Sequence, residues 1–234
     1  VSNEHSSAEA FGRLAAELQD ADGVEQTVET VVRFALRAVR CEYAAVVLVT
    51  RARRLQIMAL TDPRPAELYR FQIEAGEGPL ITAVEQATAL VIPDIAADTR
   101  WSAQWAERML AAGIHSSLQL PMLVAGRAEA VLSLYSDKPN AFTDDDLAVA
   151  QILAQHGSAA IAAARSSASM TEAIDARRLV GQAMGMLMER YALDEPRAFE
   201  VLRRYSMDSN RKLRDVAQEL LATRKLPSDS RRPV

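Results

Sequence analysis

The sequence is poorest in the residues that carry covalent and redox chemistry. Its 234 residues include a single cysteine, Cys41, and three histidines, at 5, 115 and 156. One cysteine excludes an internal disulfide framework. Only Arg40 supplies a neighbouring cation, so the expectation for Cys41 is a buried, inert thiol rather than a redox sensor. Histidines this scattered nominate no general base, and no metal site is expected. Also absent are a P-loop, a zinc-binding HExxH, a nucleophile elbow and a dinucleotide fingerprint, so the chain is not expected to be an enzyme. Aromatic residues make up only 5% of the sequence, which leaves the core to aliphatic side chains. No stretch approaches the roughly 20 continuous apolar residues of a membrane span. Residues 1–9 lack the basic and apolar regions of a secretory leader. The expectation is a cytoplasmic protein with no membrane partner.

The composition that is present is ordinary for a globular chain, 49% hydrophobic and 25% charged. A net charge of −4 hides a division, however. Residues 1–169 hold 14 Lys+Arg against 21 Asp+Glu, whereas residues 170–234 hold 13 against 10. An acidic body with a basic end points any polyanionic partner to the C-terminal part.

Helical periodicity runs through residues 9–40, with Phe11, Leu14 and Leu18 in one stretch and Val24, Val28, Val31, Val32, Ala35 and Val39 in a second. Asp22-Gly23 punctuates the two. The texture then changes to strand: Tyr43 to Thr50, Leu55 to Ala59, Ala89 to Ile92, Ser117 to Val124 and Ala130 to Tyr135. Pro121 inside the fourth run argues for an edge or a bulge there, and Ala125-Gly126-Arg127 reads as the turn into the fifth. The fold class that follows is α+β, a mainly antiparallel sheet flanked by helices.

Thr143 with Asp146 three residues on forms a capping-box pattern, and Phe142 with Leu147 fits a hydrophobic staple. From there an alanine-rich stretch without proline predicts one long connecting helix. Leu147, Ala150, Ala154, Gly157, Ile161, Ala164 and Ala168 form a seam of small residues along it. That seam fits a second helix, hence a homodimer through the connecting helix, and equally fits packing on its own domain. Two shorter helices follow. Asp194 caps one, with Pro196 in its first turn and Ala198, Phe199, Leu202 and Tyr205 on its buried face. Ser209 is the expected cap of the other, which Pro227 closes, with Leu213, Val216, Ala217, Leu220 and Leu221 on one stripe. The boundaries read as 1–165 for a sensory domain with its core at about 20–165, 166–227 for a three-helix domain, and 228–234 for a disordered tail.

The chemistry of the three-helix domain lies on its polar side. Asn210, Arg211, Lys212 and Arg214 are read as opening the last helix, where unpaired N–H groups already favour an anion. Clustered cations there are locally unfavourable, and a bound phosphate would relieve them. Arg177, Arg178 and Arg190 on the first helix, with Arg203 and Arg204 on the second, could widen the patch. A solvated charged face balanced by Asp208, Asp215 and Glu219 is the plainer alternative. Gly181 and Gly185, four apart in the first helix, are expected to mark close approach of a neighbouring helix.

Residues 176–226 resemble an ANTAR domain, the RNA-binding output module of bacterial antiterminators. The likeness rests on Gln182-Ala183-Met184-Gly185-Met186-Leu187-Met188-Glu189-Arg190-Tyr191, on Ala198-Phe199-Glu200-Val201-Leu202-Arg203-Arg204-Tyr205-Ser206, and on Ser209-Asn210-Arg211-Lys212-Leu213-Arg214-Asp215-Val216-Ala217. It implies a dimer that binds RNA stem-loops in nascent transcripts, which makes Arg177, Arg178, Arg190, Asn210, Arg211, Lys212 and Arg214, read above from the polar face, the candidate RNA contacts. Family members commonly carry Lys where this chain has Met184, which removes one phosphate contact. Ala75-Gly76-Glu77-Gly78-Pro79, Ile92-Pro93-Asp94-Ile95, Asp98-Thr99-Arg100-Trp101, Gly113-Ile114-His115-Ser116-Ser117-Leu118 and the segment from Gly126 to Asp146 resemble a GAF domain. That likeness implies a fold able to hold a small molecule but does not name one. Trp101, Trp105 and His115 are its candidate pocket residues, with plain structural anchoring as the alternative. No cofactor is identified. The competing function is a DNA-binding transcription regulator with the same sensor, which the ANTAR likeness disfavours.

Overall fold

The structure, a computed structural model, describes residues 2–50 and 52–226. The expected tail at 228–234 and Pro227 as a helix stop lie outside the described residues. The chain divides into two compact units, Val1–Ser166 and Ser167–Val234.

The larger unit opens with α1 (Ser2–Gln19) and α2 (Gly23–Ala38), separated at the predicted Asp22-Gly23 break. Five strands follow: β1 (Tyr43–Val49), β2 (Leu55–Leu60), β3 (Leu90–Ile92), β4 (Ser116–Val124) and β5 (Arg127–Ser136). They form one antiparallel sheet in the order β2-β1-β5-β4-β3. β3 reaches along β4 only from Ser117 to Gln119, so Pro121 sits past its end, where no outward N–H is needed. A bulge follows between Met122 and Leu123. Ala125 and Gly126 both take positive φ, 49° and 76°, which gives the β4–β5 hairpin a two-residue turn twisted to match its strands.

The sheet is covered on both faces, which is why β1 reads as an unbroken apolar run rather than an alternating one. Ala44, Val46, Leu48, Leu118, Leu120, Met122, Ala130, Leu132 and Leu134 point into a core with α1 and α2. Ala45, Val47, Ile92, Val131 and Tyr135 point the other way. Three short helices that periodicity leaves unassigned cover this second face: α3 (Pro65–Ala75), α4 (Pro79–Gln86) and α5 (Ala103–Ala111). Prolines start the first two, and the Ser102 hydroxyl accepts from Trp105 N at 3.4 Å to cap the third. Gly76, at φ 68°, ends α3. Gly78, at φ 122°, lets the buried Gln72 side chain accept from Leu80 N at 2.9 Å; a Cβ there would stand 2.5 Å from Gln72 Oε1. The Gly-x-Gly-Pro run is therefore a structural turn.

Helix α6 (Asp144–Tyr191) is 48 residues long, about 70 Å at 1.5 Å per residue. Its start is the predicted capping box: Thr143 N donates to Asp146 Oδ2 at 2.9 Å and Asp146 N donates to Thr143 Oγ1 at 3.2 Å. The small-residue seam has one destination. Ala150, Leu153, Ala154 and Ile161 are buried in the first core of the larger unit. A Cβ on Gly157 would come within 2.5 Å of Met122 Cε and 2.9 Å of Val31 Cγ2. From 147 to 161 the seam is thus used up inside its own domain, and no second copy can share it. Among the described residues α6 is also the one helix long and apolar enough to cross a membrane, with a window of mean hydropathy 1.3 that is 33% buried. That average comes without any continuous apolar run, because Gln151, Gln155, His156 and Ser158 interrupt the aliphatic residues.

In the smaller unit the end of α6 meets α7 (Glu195–Ser209) and α8 (Leu213–Thr223). Asp194 caps α7 by accepting from Arg197 N at 2.9 Å. Ala183, Leu187, Ala198, Leu202, Val216, Ala217 and Leu220 form its core. Two expectations fail here. Phe199 is 38% exposed, because it lies about 100° around the helix from Ala198. Gly181 and Gly185 have nothing within 4 Å of a Cβ placed on either, so among the described residues no other helix approaches them closely.

Candidate functional site

The turn between α7 and α8 holds Arg211 and Lys212, with Arg214 in the first turn of α8, so the last helix opens later than expected. Helix α7 continues through Ser209, whose hydroxyl donates back to Tyr205 O, and α8 begins only at Leu213. Asn210 takes the left-handed conformation at φ 51°, a geometry asparagine tolerates well. Arg211 N then donates to Ser206 O at 3.0 Å and Ser206 Oγ donates to Arg211 O at 2.6 Å, closing the helix end. Asn210 therefore shapes the turn. Arg211 lies in it, Lys212 occupies the N-cap position of α8 without a side-chain cap, and Arg214 stands in the first turn. Ser209 as cap is overturned because its hydroxyl is spent on the preceding helix.

Carboxylates meet these cations. The Arg214 guanidinium bonds Glu172 on α6, with Asp215 also in range at 3.3 Å. Glu172, then Asp215, push the Arg214 pKa further above its ordinary value. Arg211 bonds Glu219, one face along α8. Arg178 faces Asp175 at 3.4 Å. Among the described residues Lys212 and Arg177 form no ion pair. Arg203 and Arg204 pair within α7 with Glu200 and Asp208. Arg190 is elsewhere: its Nη1 donates to Arg224 O at 2.6 Å, at the far end of α8. Since residues 172 and 190 are separated by 18 positions of one helix, about 27 Å, Arg190 does not join the cluster that holds Arg214. Met184, where a lysine was the family expectation, is half-buried against the module's core.

The larger unit carries a second candidate site under α3, α4 and α5. Tyr135 OH donates to Tyr69 OH at 2.7 Å, and Ser133 Oγ donates to Gln119 Oε1 at 2.6 Å, all four side chains buried. Gln119 and Ser133 are direct cross-strand partners, as are Ser117 and Tyr135. Burial pushes both tyrosines above their ordinary pKa; Tyr135 reinforces the rise at Tyr69, whereas hydrogen bonds with Tyr69, Ser133 and Gln119 oppose it at Tyr135, and both phenols stay neutral. Trp105 is 2% exposed, and among the described residues its Nε1 and the Ser117 Oγ are the buried side-chain polar atoms left without a partner. Each such orphan costs about 1–3 kcal/mol. Trp101 is half-buried, 5.4 Å from Trp105 by ring centroids, and its Nε1 donates to Thr82 Oγ1 at 3.3 Å. His115 is half-buried and its backbone ties the β5 end to Ile95. Ser117, Gln119, Ser133, Tyr69 and Tyr135 were missed in the sequence; the alternation of β4 and β5 signalled the four strand residues, and nothing local signalled Tyr69 on α3. Cys41 lies outside this set, its thiol pushed up to about 12 by burial, Glu42 and Asp146.

Comparison with known proteins matches each unit separately. Residues 21–162 match the GAF domain family and residues 168–221 the ANTAR domain family. The transcriptional regulatory protein PdtaR of Mycobacterium tuberculosis is 30% identical over 194 residues, spanning 79% of this chain and 93% of that protein. Among solved structures, the GAF domain of a phosphoenolpyruvate-protein phosphotransferase from Coxiella burnetii superposes with a TM-score of 0.56 at 19% identity, covering 70% of this chain and 96% of that one. The phytochrome photosensory core module of Stigmatella aurantiaca gives 0.60 at 14% identity, covering 86% and 44%. These two likenesses establish the fold alone.

Proposed function

Because this chain belongs to the GAF–ANTAR regulators, we propose that it is a cytoplasmic RNA-binding antiterminator whose GAF unit senses a small molecule. The reading of the output end rests on one observation above all. Arg211, Lys212 and Arg214 are brought together by the α7–α8 turn, with Arg177 and Arg178 on the neighbouring α6, while the rest of the protein is acidic. Guanidinium groups suit phosphate bidentately, and RNA stem-loops offer unpaired bases beside closely spaced phosphates. Asn210 contributes by setting the turn, whereas Arg190, at the other end of α8, stands apart from this cluster.

The test is binding of the full chain to a stem-loop RNA and to a duplex DNA across salt. Changing Arg211, Lys212 and Arg214 together to Ala is expected to weaken RNA binding and to flatten its salt dependence, by about 0.9 in log–log slope for each phosphate no longer neutralised. Equal binding by that variant, or preference for duplex DNA, overturns the assignment.

On the sensor side, Trp105 Nε1 and Ser117 Oγ are buried without a hydrogen-bond partner among the described residues, and Trp101 and His115 are the further candidate pocket residues. A small molecule with acceptor atoms would satisfy them. A homodimer through α6 is also part of the reading. Since the seam from 147 to 161 is buried, the part of α6 in the smaller unit, where Met170 and Ile174 are exposed, is the face for a second copy.

A further inference from the structure

Two cations of the output surface, Arg211 and Arg214, are already occupied by the protein's own carboxylates. Glu172 holds Arg214 and Glu219 holds Arg211. Neither pair is buried: the four side chains are between 33% and 58% exposed. Neither supports the helical core, which is built from Ala183, Leu187, Ala198, Leu202, Val216, Ala217 and Leu220. The two glutamates come from different places, one from α6 and one from the second turn of α8, and converge on the two arginines that flank Lys212. Lys212 itself has no ion pair among the described residues.

A carboxylate and a phosphate present the same kind of acceptor to a guanidinium fork. A carboxylate placed there both orients the fork and must be displaced before a phosphate can use it. A lone phosphate or a sparsely charged chain gains little by displacing one. A folded polyanion that offers two phosphates at the Arg211–Arg214 spacing displaces both at once. Such built-in competition lowers affinity for every polyanion and favours the one of matching geometry.

We propose that Glu172 and Glu219 are internal competitors for the phosphates of the RNA, setting the affinity and selectivity of the Arg211–Lys212–Arg214 surface. The proposal rests on the RNA-binding reading above. Asp215, adjacent to Arg214, is a helix-start residue on α8 and serves the N–H groups there as well, so its removal would mix two effects. Glu172 and Glu219 do not have that complication.

The experiment measures binding of the full chain to one stem-loop RNA at about 0.15 M salt, where exposed charges more than about 8 Å away are largely screened. Glu172→Gln and Glu219→Gln keep the side-chain shape and remove the charge. Each is expected to tighten binding about two- to fivefold, the range set by a surface ion pair. Glu200→Gln removes the same charge from the Arg203 pair on α7 and is the control for net charge. In an Arg214→Ala background, Glu172→Gln is expected to change nothing. Tightening by Glu172→Gln no greater than that by Glu200→Gln, or tightening that survives Arg214→Ala, overturns the inference while leaving the RNA-binding reading intact. If the unaltered chain and both glutamine variants all ignore the RNA, even at low salt, the RNA-binding reading itself falls and this inference with it.

Discussion

The two units solve opposite problems with polar groups. In the GAF unit the decisive polar atoms are inside: Tyr69, Gln119, Ser133 and Tyr135 bond one another beneath α3–α5, and Trp105 and Ser117 are left with unmet hydrogen bonds. In the ANTAR unit the interior is wholly apolar and thin, with alanine at three of its fully buried positions, Ala183, Ala198 and Ala217. Its chemistry is all on the rim. Recognition of a small molecule needs polar groups fixed by packing in a dry place, where each bond counts for more. Recognition of a long polyanion needs exposed cations, and a small helical scaffold suffices to hold them.

The strongest way to break this contrast is to empty each core in turn. Trp105→Ala is expected to cost about 3–5 kcal/mol, read as a lowered denaturation midpoint of the GAF unit. Leu202→Ala should cost about 2–5 kcal/mol. With so small a core, that change should abolish the folded signal of the ANTAR unit while the GAF unit still melts separately. A single shared transition in both variants would show that the units do not differ in this way.

Glycines on one helix sharpen the contrast at lower cost. Gly157→Val places its branches against Val31 and Met122 and should destabilise by about 1–3 kcal/mol through overpacking. Gly181→Ala with Gly185→Ala meets open space and should stabilise the smaller unit by up to about 1 kcal/mol each through helix propensity. If the paired alanine change instead impairs RNA binding or self-association, those bare positions serve a partner rather than the helix.

The smallest effect is acid-sensitive. Burial disfavours the Asp146 anion, but hydrogen bonds from Thr143, with help from Arg40, outweigh it and hold the carboxyl below its ordinary value of 3.8. A depressed folded pKa contributes stability above that value and loses it as pH falls through the folded value. Asp146→Asn should therefore cost about 1 kcal/mol near neutral pH and nothing extra in strong acid, a difference that urea melts at two pH values would reveal.

Much of the fold could be read locally. The capping box at Thr143 and Asp146, the cap at Asp194, the strand runs and the edge role of Pro121 all follow from chemistry within a few residues. The helices α3, α4 and α5 could not be read so, because their buried faces are short and mixed; only the sheet beneath makes Leu68, Tyr69, Leu80 and Trp105 a core. Of the candidate cations, local sequence set Arg211, Lys212 and Arg214 at the opening of the last helix, whereas the helix begins only at Leu213, so Arg211 lies in the turn, Lys212 at the cap and Arg214 in the first turn. Ser209 can serve either the helix before it or the one after, and only the helix that packs decides.

What the amino-acid order determined by itself was the division of labour: an aliphatic, acidic α+β part, a long alanine-rich helix and a basic helical end. Period and charge are properties of neighbours along the chain. Tertiary structure alone decided which face of α6 is spent on the sheet, which polar side chains share the buried layer under α3–α5, and that Glu172 and Glu219 stand against Arg214 and Arg211. Those facts depend on distances between residues far apart in sequence, and such distances exist only once the chain has folded.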